Sequence, residues 1–555
     1  MKKNPKKNLS LMIIFTLSIN SVLFSQEALT SMNEMYFDFL SLNGHAQRPH
    51  LGYRTLSDNK WNVDGAYEHP WKNKSLSNEF FFLDKKISLR IYDLDLFSSI
   101  NTAAPFGYND GALWQGKGFN SSLSTGVRLE LYGLELTYKP LLAFSQNLDF
   151  KRMDSNYDSE YGYFWGYRHN IGIDLPQRFG DKPFFTYDWG DSEIRYTWKT
   201  LTAGFGTQSV WLGPAYINPI LHSNNAPAYP KFDLGIRRTS VTIPYFNTYI
   251  GDFEARVSIG YLSESEYFDN DEENDHTMFH LFSLSYSPPS FLEGLTVSAN
   301  RVCLVPWDLE NLKYIWPNND NTIEDQKISF GLSWKFDKVG LEIFGEIGLD
   351  DNNLGINDFN LFKNSQYFFH TFVYTAGIKK TFIISHSRKL YGELIFEWSN
   401  MEMSQDYQYM QPYSFNFHFQ RGQGYTNGGQ LINNNIGAGG NSQYLEYKFI
   451  YPQGTSSIIF GRNNPDNNFI FAIPTHEANS LELVDKLDWG YKAHVYFGAT
   501  SKYFVTNNLT AGLGLFYDLI LNPNYFYYKE RTDEKTILNN VSIQLYMSIN
   551  NFGSK

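Results

Sequence analysis

Indole, phenol and amide side chains occur together in one segment of the chain, residues 204–230. Trp211 and Tyr216 offer flat apolar faces, and Asn224 and Asn225 offer amide donors and acceptors. Sugars need both features, because their hydroxyls require polar partners and their C–H faces stack on aromatic rings. The segment therefore suits a sugar-binding loop. It equally suits a turn that the Asn pair caps, with Trp211 packed in an interior.

Paired carboxylates could instead support catalysis. The candidates are Glu393 with Glu397, and Glu346 with Asp350 and Asp351. Such pairs hydrolyse glycosidic bonds when the fold holds them at a defined separation. However, the sequence has no Gly-x-Ser-x-Gly or His-Glu-x-x-His motif. Polar interior positions and charged loops explain the carboxylates more simply, so we predict a protein that is not an enzyme.

Other chemistries are poorly matched. Gly111–Gly118 has the spacing of a phosphate-binding loop, but Gly118 replaces the Ser or Thr that binds Mg²⁺, so we interpret it as a Gly-rich turn. The acidic run 269–275 lacks calcium-loop spacing. Cys303 is the single cysteine, which excludes an internal disulfide, and the net charge of −12 argues against nucleic-acid binding. We predict no cofactor, no metal and no nucleic acid.

The elements that carry these residues alternate with a period of two. In residues 253–261 every second side chain is apolar or aromatic, while Glu254, Arg256 and Ser258 share the other face. Similar alternation covers 193–199, 327–336, 489–498, 509–517 and 541–549. Recurring segments of about ten residues are typical of an outer-membrane β-barrel. A soluble β-sandwich alternates too, but aromatic clusters near strand ends, at 367–369 and 525–528, favour the interfacial girdles of a barrel.

The composition agrees with a β-sheet that has lipid on one face and water on the other. Of the 555 residues 17% are aromatic, yet only 42% are hydrophobic and the mean hydropathy is −0.39. Helical membrane spans are excluded, because each needs about 20 consecutive apolar residues. We therefore predict an all-β fold, a large single-chain antiparallel transmembrane β-barrel of about 16–18 strands with a short N-terminal helical segment. Long connections should face outward, and short turns such as Tyr132-Gly133 and Asp337-Lys338 should face the periplasm.

The N-terminus predicts export. Four lysines precede an apolar run from Leu9 to Phe24, which reads as a signal peptide over residues 1–25. Residues 26–75 should form a periplasmic helix and an extended segment, and residues 76–555 the barrel. Apolar residues recur at helical spacing from Leu29 to Phe39, with Gly44 as a stop, and we expect this helix to pack against the barrel mouth.

In its motifs the chain resembles the Wzi-like capsule assembly proteins of Gram-negative outer membranes. The most specific motif is Trp211-Leu-Gly-Pro followed by Ser223-Asn-Asn-Ala-Pro227 and Pro230. The supporting motifs are Glu324-Asp325-Gln326, Gly345-Glu346, Asp350-Asp351, Tyr425-Thr-Asn-Gly-Gly429 and Gly437-Ala-Gly-Gly-Asn441. This resemblance implies an 18-stranded barrel that helices close on the periplasmic side, although the present chain shows a single predicted helix there.

The same resemblance implies a non-catalytic lectin that holds capsular or other surface polysaccharide and assists capsule assembly. The candidate polysaccharide-binding residues are Trp211, Tyr216, Asn224, Asn225, Asp325, Gln326, Glu346 and Asp351. We expect a monomer in the cell outer membrane, in contact with its lipid. The alternatives are a channel for polar solutes, motivated by charged side chains on the inferred inner face, and an outer-membrane hydrolase.

Overall fold

The computed structural model describes residues 32–549 apart from 56–60, 73–77, 85, 153–158, 163–172, 244–245, 290–291, 317–322, 351–371, 403, 405–414, 418–421, 466–491 and 525–535. The predicted signal peptide, Asp351 and both aromatic clusters lie outside the described residues. Among the residues described, no helix has the length and apolarity needed to cross a lipid bilayer.

Eighteen strands of the described chain form a closed antiparallel barrel, as predicted. The strands are β1 (Ile87–Asn101), β2 (Gly118–Leu131), β3 (Leu134–Tyr138 and Leu141–Ser145), β4 (Phe184–Asp188 and Glu193–Trp198), β5 (Leu201–Gly206), β6 (Lys231–Ile243), β7 (Thr248–Ser263), β8 (His276–Ser287), β9 (Leu295–Pro306), β10 (Asp325–Phe336), β11 (Leu341–Asp350), β12 (Val373–Ser385), β13 (Leu390–Asn400), β14 (Asn441–Tyr451), β15 (Gly454–Asn464), β16 (Ala493–Phe504), β17 (Leu509–Leu521) and β18 (Ile537–Ile549). Each strand pairs with its sequence neighbour, and β18 closes the barrel on β1 with Ser542 opposite Asn101.

Several short strands and helices are not part of the 18-stranded wall. The extra strand Asn78–Phe82 pairs with the start of β1. Three small two-stranded sheets join Ala46–Gln47 to Asn62–Val63, Tyr53–Thr55 to Val210–Leu212, and Thr426–Asn427 to Gln430–Leu431. The described helices are α1 (Met32–Leu42) and two 3₁₀ turns, Leu309–Ile315 and Asp337–Val339.

The wall has apolar residues outside and polar residues inside. On β4, Ile194 and Tyr196 are 60% and 53% exposed, whereas Arg195 between them is 4% exposed. The Arg195 guanidinium forms ion pairs with Glu193 and Asp233, with N–O distances of 2.8 and 2.6 Å. Buried charges need such partners. The alternation in the sequence therefore marks an apolar outer face on one side and a paired polar interior on the other.

The two ends of the barrel differ in their connections. Nine connections of twelve to forty residues lie at one end, which we call the loop end. Eight connections of two to seven residues lie at the other, the turn end, and they include Tyr132-Gly133 and residues 337–340 as predicted. In outer-membrane barrels the long loops face outward and the short turns face the periplasm.

Helix α1 packs across the turn end, where the sequence predicts it. Its Phe39 ring meets Tyr391 edge-on at a centroid distance of 5.6 Å. Burial alone would raise the pKa of Asp38 on this helix, but Arg48 and Lys379 hold that pKa well below its usual range. Asp38 accepts hydrogen bonds from both cations, at 2.7 and 3.0 Å. The helix is thus fixed to the barrel by packing and by ion pairs.

Three non-helical segments fill the lumen. They are the N-terminal lumen segment (45–55), the central lumen segment (207–230) and the late lumen segment (422–440). Leu212, Ile220 and Tyr425 are fully buried in one apolar cluster with inward-facing barrel residues such as Val302 and Val373. The segments also bond to one another, since the Tyr425 hydroxyl donates to the carbonyl of Leu221 at 2.8 Å. The resemblance implies that helices close the barrel on the periplasmic side. In the described structure one helix, α1, lies at the turn end, and three irregular segments form a plug inside the lumen.

Replacing a lipid-facing residue with arginine tests this orientation. Leu515 lies at the middle of β17 and is 54% exposed. Because arginine at the bilayer midplane costs about 2–4 kcal/mol, Leu515→Arg should lower the free energy of unfolding in lipid vesicles by about that amount. Val505→Arg, in the turn 505–508, should cost about 0–1 kcal/mol. Equal costs in urea unfolding would contradict a membrane-spanning β17.

Candidate functional site

Trp211 lies deep inside the barrel. Its side chain is 0% exposed, and its indole N–H donates to the carbonyl of Ala215 at 2.9 Å. The Arg54 guanidinium covers the ring at 5.3 Å from the centroid. Both faces of the indole are therefore surrounded by protein, and the ring packs the plug. This is the arrangement of the second alternative that the sequence left open for Trp211.

Tyr216 lies in the same segment, nearer the middle of the barrel. Its hydroxyl donates to Glu446 at 2.8 Å, and the ammonium groups of Lys379 and Lys448 lie over the ring at 5.4 and 5.5 Å from the centroid. Glu446 and Lys448 belong to the inner face of β14. Tyr216 thus links the central lumen segment to the charged inner wall.

A carboxylate clamp holds the backbone at this point. Glu397 on β13 accepts hydrogen bonds from three consecutive N–H groups, those of Tyr216, Ile217 and Asn218, at 2.5, 3.1 and 2.8 Å. The Glu397 side chain is buried, and a buried carboxylate is stable when it accepts several such bonds. Glu397 is therefore committed to positioning the plug.

The N-terminal lumen segment is held in the same way. Glu254 on β7 accepts from the N–H groups of Leu51, Gly52 and Tyr53 at 2.8, 3.0 and 3.2 Å. Two glutamates on different strands of the wall thus each bind three successive backbone donors. The inward polar positions of the alternating strands supply the anchors of the plug.

Asn224 and Asn225 lie where the central lumen segment approaches the loop end. The Asn225 amide group donates to the carbonyl of Leu431 at 2.8 Å and accepts from the N–H of Asn109 at 3.3 Å. The Asn224 carbonyl accepts from the N–H of Gly111 at 2.8 Å. Asn224 Oδ1 is buried and has no hydrogen-bond partner among the described residues. Through these hydrogen bonds, Asn224 and Asn225 connect the central lumen segment to the late lumen segment and to the connection 102–117.

Asp325 and Gln326 lie elsewhere in the wall. Asp325 forms a buried ion pair with Lys327 at 2.5 Å. Gln326 Oε1 accepts from the Arg301 guanidinium at 3.1 Å. Both side chains belong to the start of β10, near the loop end of that strand.

Glu346 on β11 does touch the central lumen segment. Its carboxylate accepts from the N–H of Ile220 at 3.3 Å. Gly213 approaches it so closely that a Cβ there would lie 2.8 Å from a carboxylate oxygen, and Gly213 has φ +81°, a conformation that favours glycine. The Gly of the Trp-Leu-Gly-Pro motif is therefore required by this contact. Asp351 lies outside the described residues.

A cleft opens at the loop end above this layer. Its volume is about 550 Å³, and connections far apart in the sequence form it. The aromatic and amide residues that line it are Phe106, Tyr108, Trp114, Phe150, Gln115, Gln177, Asn225, Gln430, Asn435, Asn463 and Asn524. Ligand clefts are commonly of this size and combine apolar walls with a few placed polar groups. Of the sequence-predicted site residues, Asn225 alone is among those lining the cleft.

The rings of the cleft belong to the connection 102–117. Trp114 is half-buried and packs edge-on against Phe179, with centroids 5.0 Å apart. Tyr108 is half-buried and packs against Phe106 at 5.5 Å and Tyr496 at 5.6 Å. Each ring packs against protein on one side and lines the cleft on the other. Both rings are therefore preorganised to stack on an apolar face of a ligand.

Hydrogen bonds hold this connection over the plug. Gln430 donates to the carbonyl of Gly111 at 2.9 Å, and Gln115 donates to Asp110 at 2.7 Å. Burial raises the pKa of Asp110 to about 7, against the lowering effect of the Gln115 bond. At neutral pH the Asp110 carboxyl is therefore partly protonated and can either donate or accept.

The sequence did contain a signal for these residues. Trp114 and Gln115 lie in the stretch Gly111–Gly118, which we interpreted as a Gly-rich turn, and Tyr108 lies three residues before it. Like Trp211 and its Asn neighbours, these residues place rings beside amides in a shaped loop. The stretch is indeed an irregular connection, and Gly111 has φ +61°.

The chain is similar to known proteins both in sequence and in fold. Residues 186–303 match the family model described as capsule assembly protein Wzi, and this range contains the Trp211-Leu-Gly-Pro motif. A search of curated proteins finds no match. Among solved structures, the chain is similar to Wzi of Escherichia coli, described as an outer-membrane protein involved in group 1 capsule assembly and a carbohydrate-binding β-barrel. The identity is 12%, the TM-score is 0.53, and the match covers 83% of this chain and 85% of that one.

Other solved structures match with lower TM-scores. OccD3 (OpdP) of Pseudomonas aeruginosa is 8% identical with a TM-score of 0.37, covering 85% of this chain and 93% of that one. OprB of Pseudomonas putida is 10% identical with a TM-score of 0.36, covering 82% and 93%. The chain is an outer-membrane β-barrel, and its predicted resemblance to the Wzi-like capsule assembly family is confirmed, in sequence over residues 186–303 and in fold over most of its length.

Proposed function

We propose that this protein is a plugged outer-membrane barrel that binds capsular or another surface polysaccharide in its loop-end cleft, without catalysis. The observation that carries the proposal is the 550 Å³ cleft of rings and amides above a filled lumen. The similar Wzi barrel is described as carbohydrate-binding, which supports the same ligand class here. The cleft lies on the side where a polysaccharide outside the cell would meet it.

The side chains of the cleft suit a polysaccharide. Tyr108 and Trp114 offer ring faces for the C–H side of sugar units, and Gln430 and Asn435 offer amides for hydroxyls. Of the sequence-predicted residues, Asn225 lines the cleft, Asn224 hydrogen-bonds to the connection that carries Tyr108 and Trp114, and Trp211 packs the plug; we assign all three a positioning role. Lipid contacts the outer wall, and one chain closes the barrel, so we expect a monomer.

The competing functions have less support. A channel needs open space along its axis, but the central lumen segment lies across the axis and is anchored by Glu397. A hydrolase needs carboxylates free to meet a substrate. Glu397 binds backbone N–H groups, and Glu393 pairs with Lys448 at 3.2 Å. These contacts favour binding without turnover.

Deleting the gene should release polysaccharide from the cell surface into the medium while total synthesis stays the same. Complementation with the intact chain should restore retention, and a chain carrying Tyr108→Ala and Trp114→Ala should not. Trp198→Ala, on the lipid-facing wall, is the matched control and should restore it. Full retention by the deletion strain would refute the proposed function.

A further inference from the structure

A second large cavity lies at the opposite end of the barrel. Its volume is about 780 Å³, and residues of the turns 288–294 and 337–340 line its mouth. The N-terminal lumen segment forms its inner side through Arg48, His50 and Arg54. This cavity is separate from the loop-end cleft and shares no lining residue with it.

Most charges in the turn-end cavity have partners. Arg48 forms a two-pronged ion pair with Glu342, with both N–O distances at 2.6 Å. Lys379 lies 3.5 Å from the same carboxylate. Arg238 pairs with Asp252 at 2.6 Å. These three cations are therefore neutralised within the protein.

Arg54 is different. Its guanidinium lies over Trp211, and among the described residues it has no carboxylate within ion-pair distance. The carboxylates of Asp38, Glu34 and Glu342 act on it only from farther away, and Asp38 and Glu342 are already bound by Arg48 and Lys379. Its Nε atom is buried without an acceptor among the described residues. A buried cation without a direct ion pair is costly, whereas one that meets an anion is stabilised. The position of Arg54 beside an open cavity thus leaves room for an anion from outside the chain.

Two further donors line the same cavity. Both ring nitrogens of His50 are buried without partners in the described structure. Burial lowers the pKa of His50 well below its usual range, so its imidazole is neutral and carries one N–H. The Lys335 ammonium donates to the carbonyl of Ser41 at 3.0 Å and has no carboxylate within ion-pair distance among the described residues.

We propose that the turn-end cavity binds an oxyanion, a carboxylate or phosphate group on a small polar molecule or chain end, through Arg54 with His50 and Lys335 as additional donors. A guanidinium matches both kinds of oxyanion through parallel N–H bonds. Four carboxylates line the cavity: Glu342 and Asp252 are bound by Arg48 and Arg238, and Glu293 and Asp337 belong to the turns. The site faces the periplasm by the loop-length rule, so it would meet its ligand before export.

Calorimetric titration of the full chain in detergent tests this site. The probes are glucuronate, inorganic phosphate and, as the neutral match, glucose. At least one anion should bind more than about tenfold tighter than glucose, since a hydrogen bond to a charged group contributes about 1.5–3 kcal/mol. Preference for glucuronate would identify a carboxylated sugar as the ligand class, and preference for phosphate a phosphate group. Anion binding no tighter than that of glucose overturns the proposal.

Variants locate the site. Arg54→Gln should weaken anion binding about 10- to 100-fold. Arg462→Gln, which removes an arginine at the loop end of β15, should leave it unchanged. Lys335→Gln should cause a smaller, several-fold loss, and it carries the test if Arg54→Gln does not fold. Equal losses in Arg54→Gln and Arg462→Gln contradict the site. Because Trp114→Ala should not affect this binding, failure here is distinguishable from failure of the loop-end cleft.

Discussion

A chain carrying Tyr108→Ala and Trp114→Ala should bind the surface polysaccharide of its own cell at least about thirtyfold more weakly than the intact chain. Truncating a central aromatic anchor commonly costs 2 kcal/mol or more, and 1.4 kcal/mol corresponds to a factor of ten. Both rings are fixed by protein on one side, so little ordering opposes their contact with sugar. Binding is measured with purified oligosaccharide by calorimetry.

The control for this prediction is Trp198→Ala. Trp198 is 58% exposed on the lipid-facing wall at the turn end of β4, so its loss removes a ring of the same kind without touching the cleft. Its affinity should match that of the intact chain. Tyr108→Phe should also keep most of the affinity, because it keeps the ring. An unchanged affinity in the double alanine variant would exclude the cleft as the binding site.

A chain carrying Glu254→Ala and Glu397→Ala should conduct ions, whereas the intact chain should show little conductance in a planar bilayer. Each substitution removes the acceptor of three consecutive backbone N–H groups of the plug. An orphaned buried donor costs about 1–3 kcal/mol, so the two lumen segments should lose several kcal/mol of local stability. Barrels of 16–18 strands leave an aqueous channel when they are not filled, so conductance should rise roughly tenfold or more.

Glu393→Gln is the matched control for the plug. Glu393 lies four residues before Glu397 on the same inner face of β13, but it pairs with Lys448 rather than with plug backbone. Its conductance should resemble that of the intact chain. A steady open pore in the intact chain would contradict the filled lumen. Equal conductance in the double variant and the control would show that the carboxylates do not hold the plug.

The strands of the barrel wall could be predicted because their residue pattern depends only on neighbouring positions in the sequence. On β7, Glu254 and Arg256 alternate with Phe253 and Val257, and a strand between lipid and a polar interior requires this period. The position of β18 and the short turn Tyr132-Gly133 followed from the same rule. The resemblance to the Wzi-like family was likewise available from the motif around Trp211, which lies inside the matched range.

The function of the motif residues was not predictable, because it depends on contacts distant in the sequence. Trp211 and Tyr216 carry the chemistry of a sugar site, yet Trp211 is enclosed by Arg54 and its own segment. Tyr216 is half-buried, and its hydroxyl is bound to Glu446. The sequence showed that this segment leaves the strand pattern but not that it turns into the lumen. The assignment of polysaccharide contacts to these residues stays a prediction.

The cleft itself could not be derived from one stretch of sequence. Trp114 meets Phe179, while Gln430 reaches back to Gly111 across more than three hundred residues. Only the closed barrel brings these connections to one end. The Trp-Gln pair at 114–115 was visible as ring and amide in a polar loop, but nothing local distinguished it from many such pairs.

The most direct test is a crystal structure of the intact chain with an oligosaccharide of its cell's own surface polysaccharide. We expect sugar in the loop-end cleft, with a ring of the ligand against Tyr108 or Trp114 and the central lumen segment in place beneath it. Sugar bound on the outer wall, or a chain of sugars passing through an emptied lumen, would contradict it.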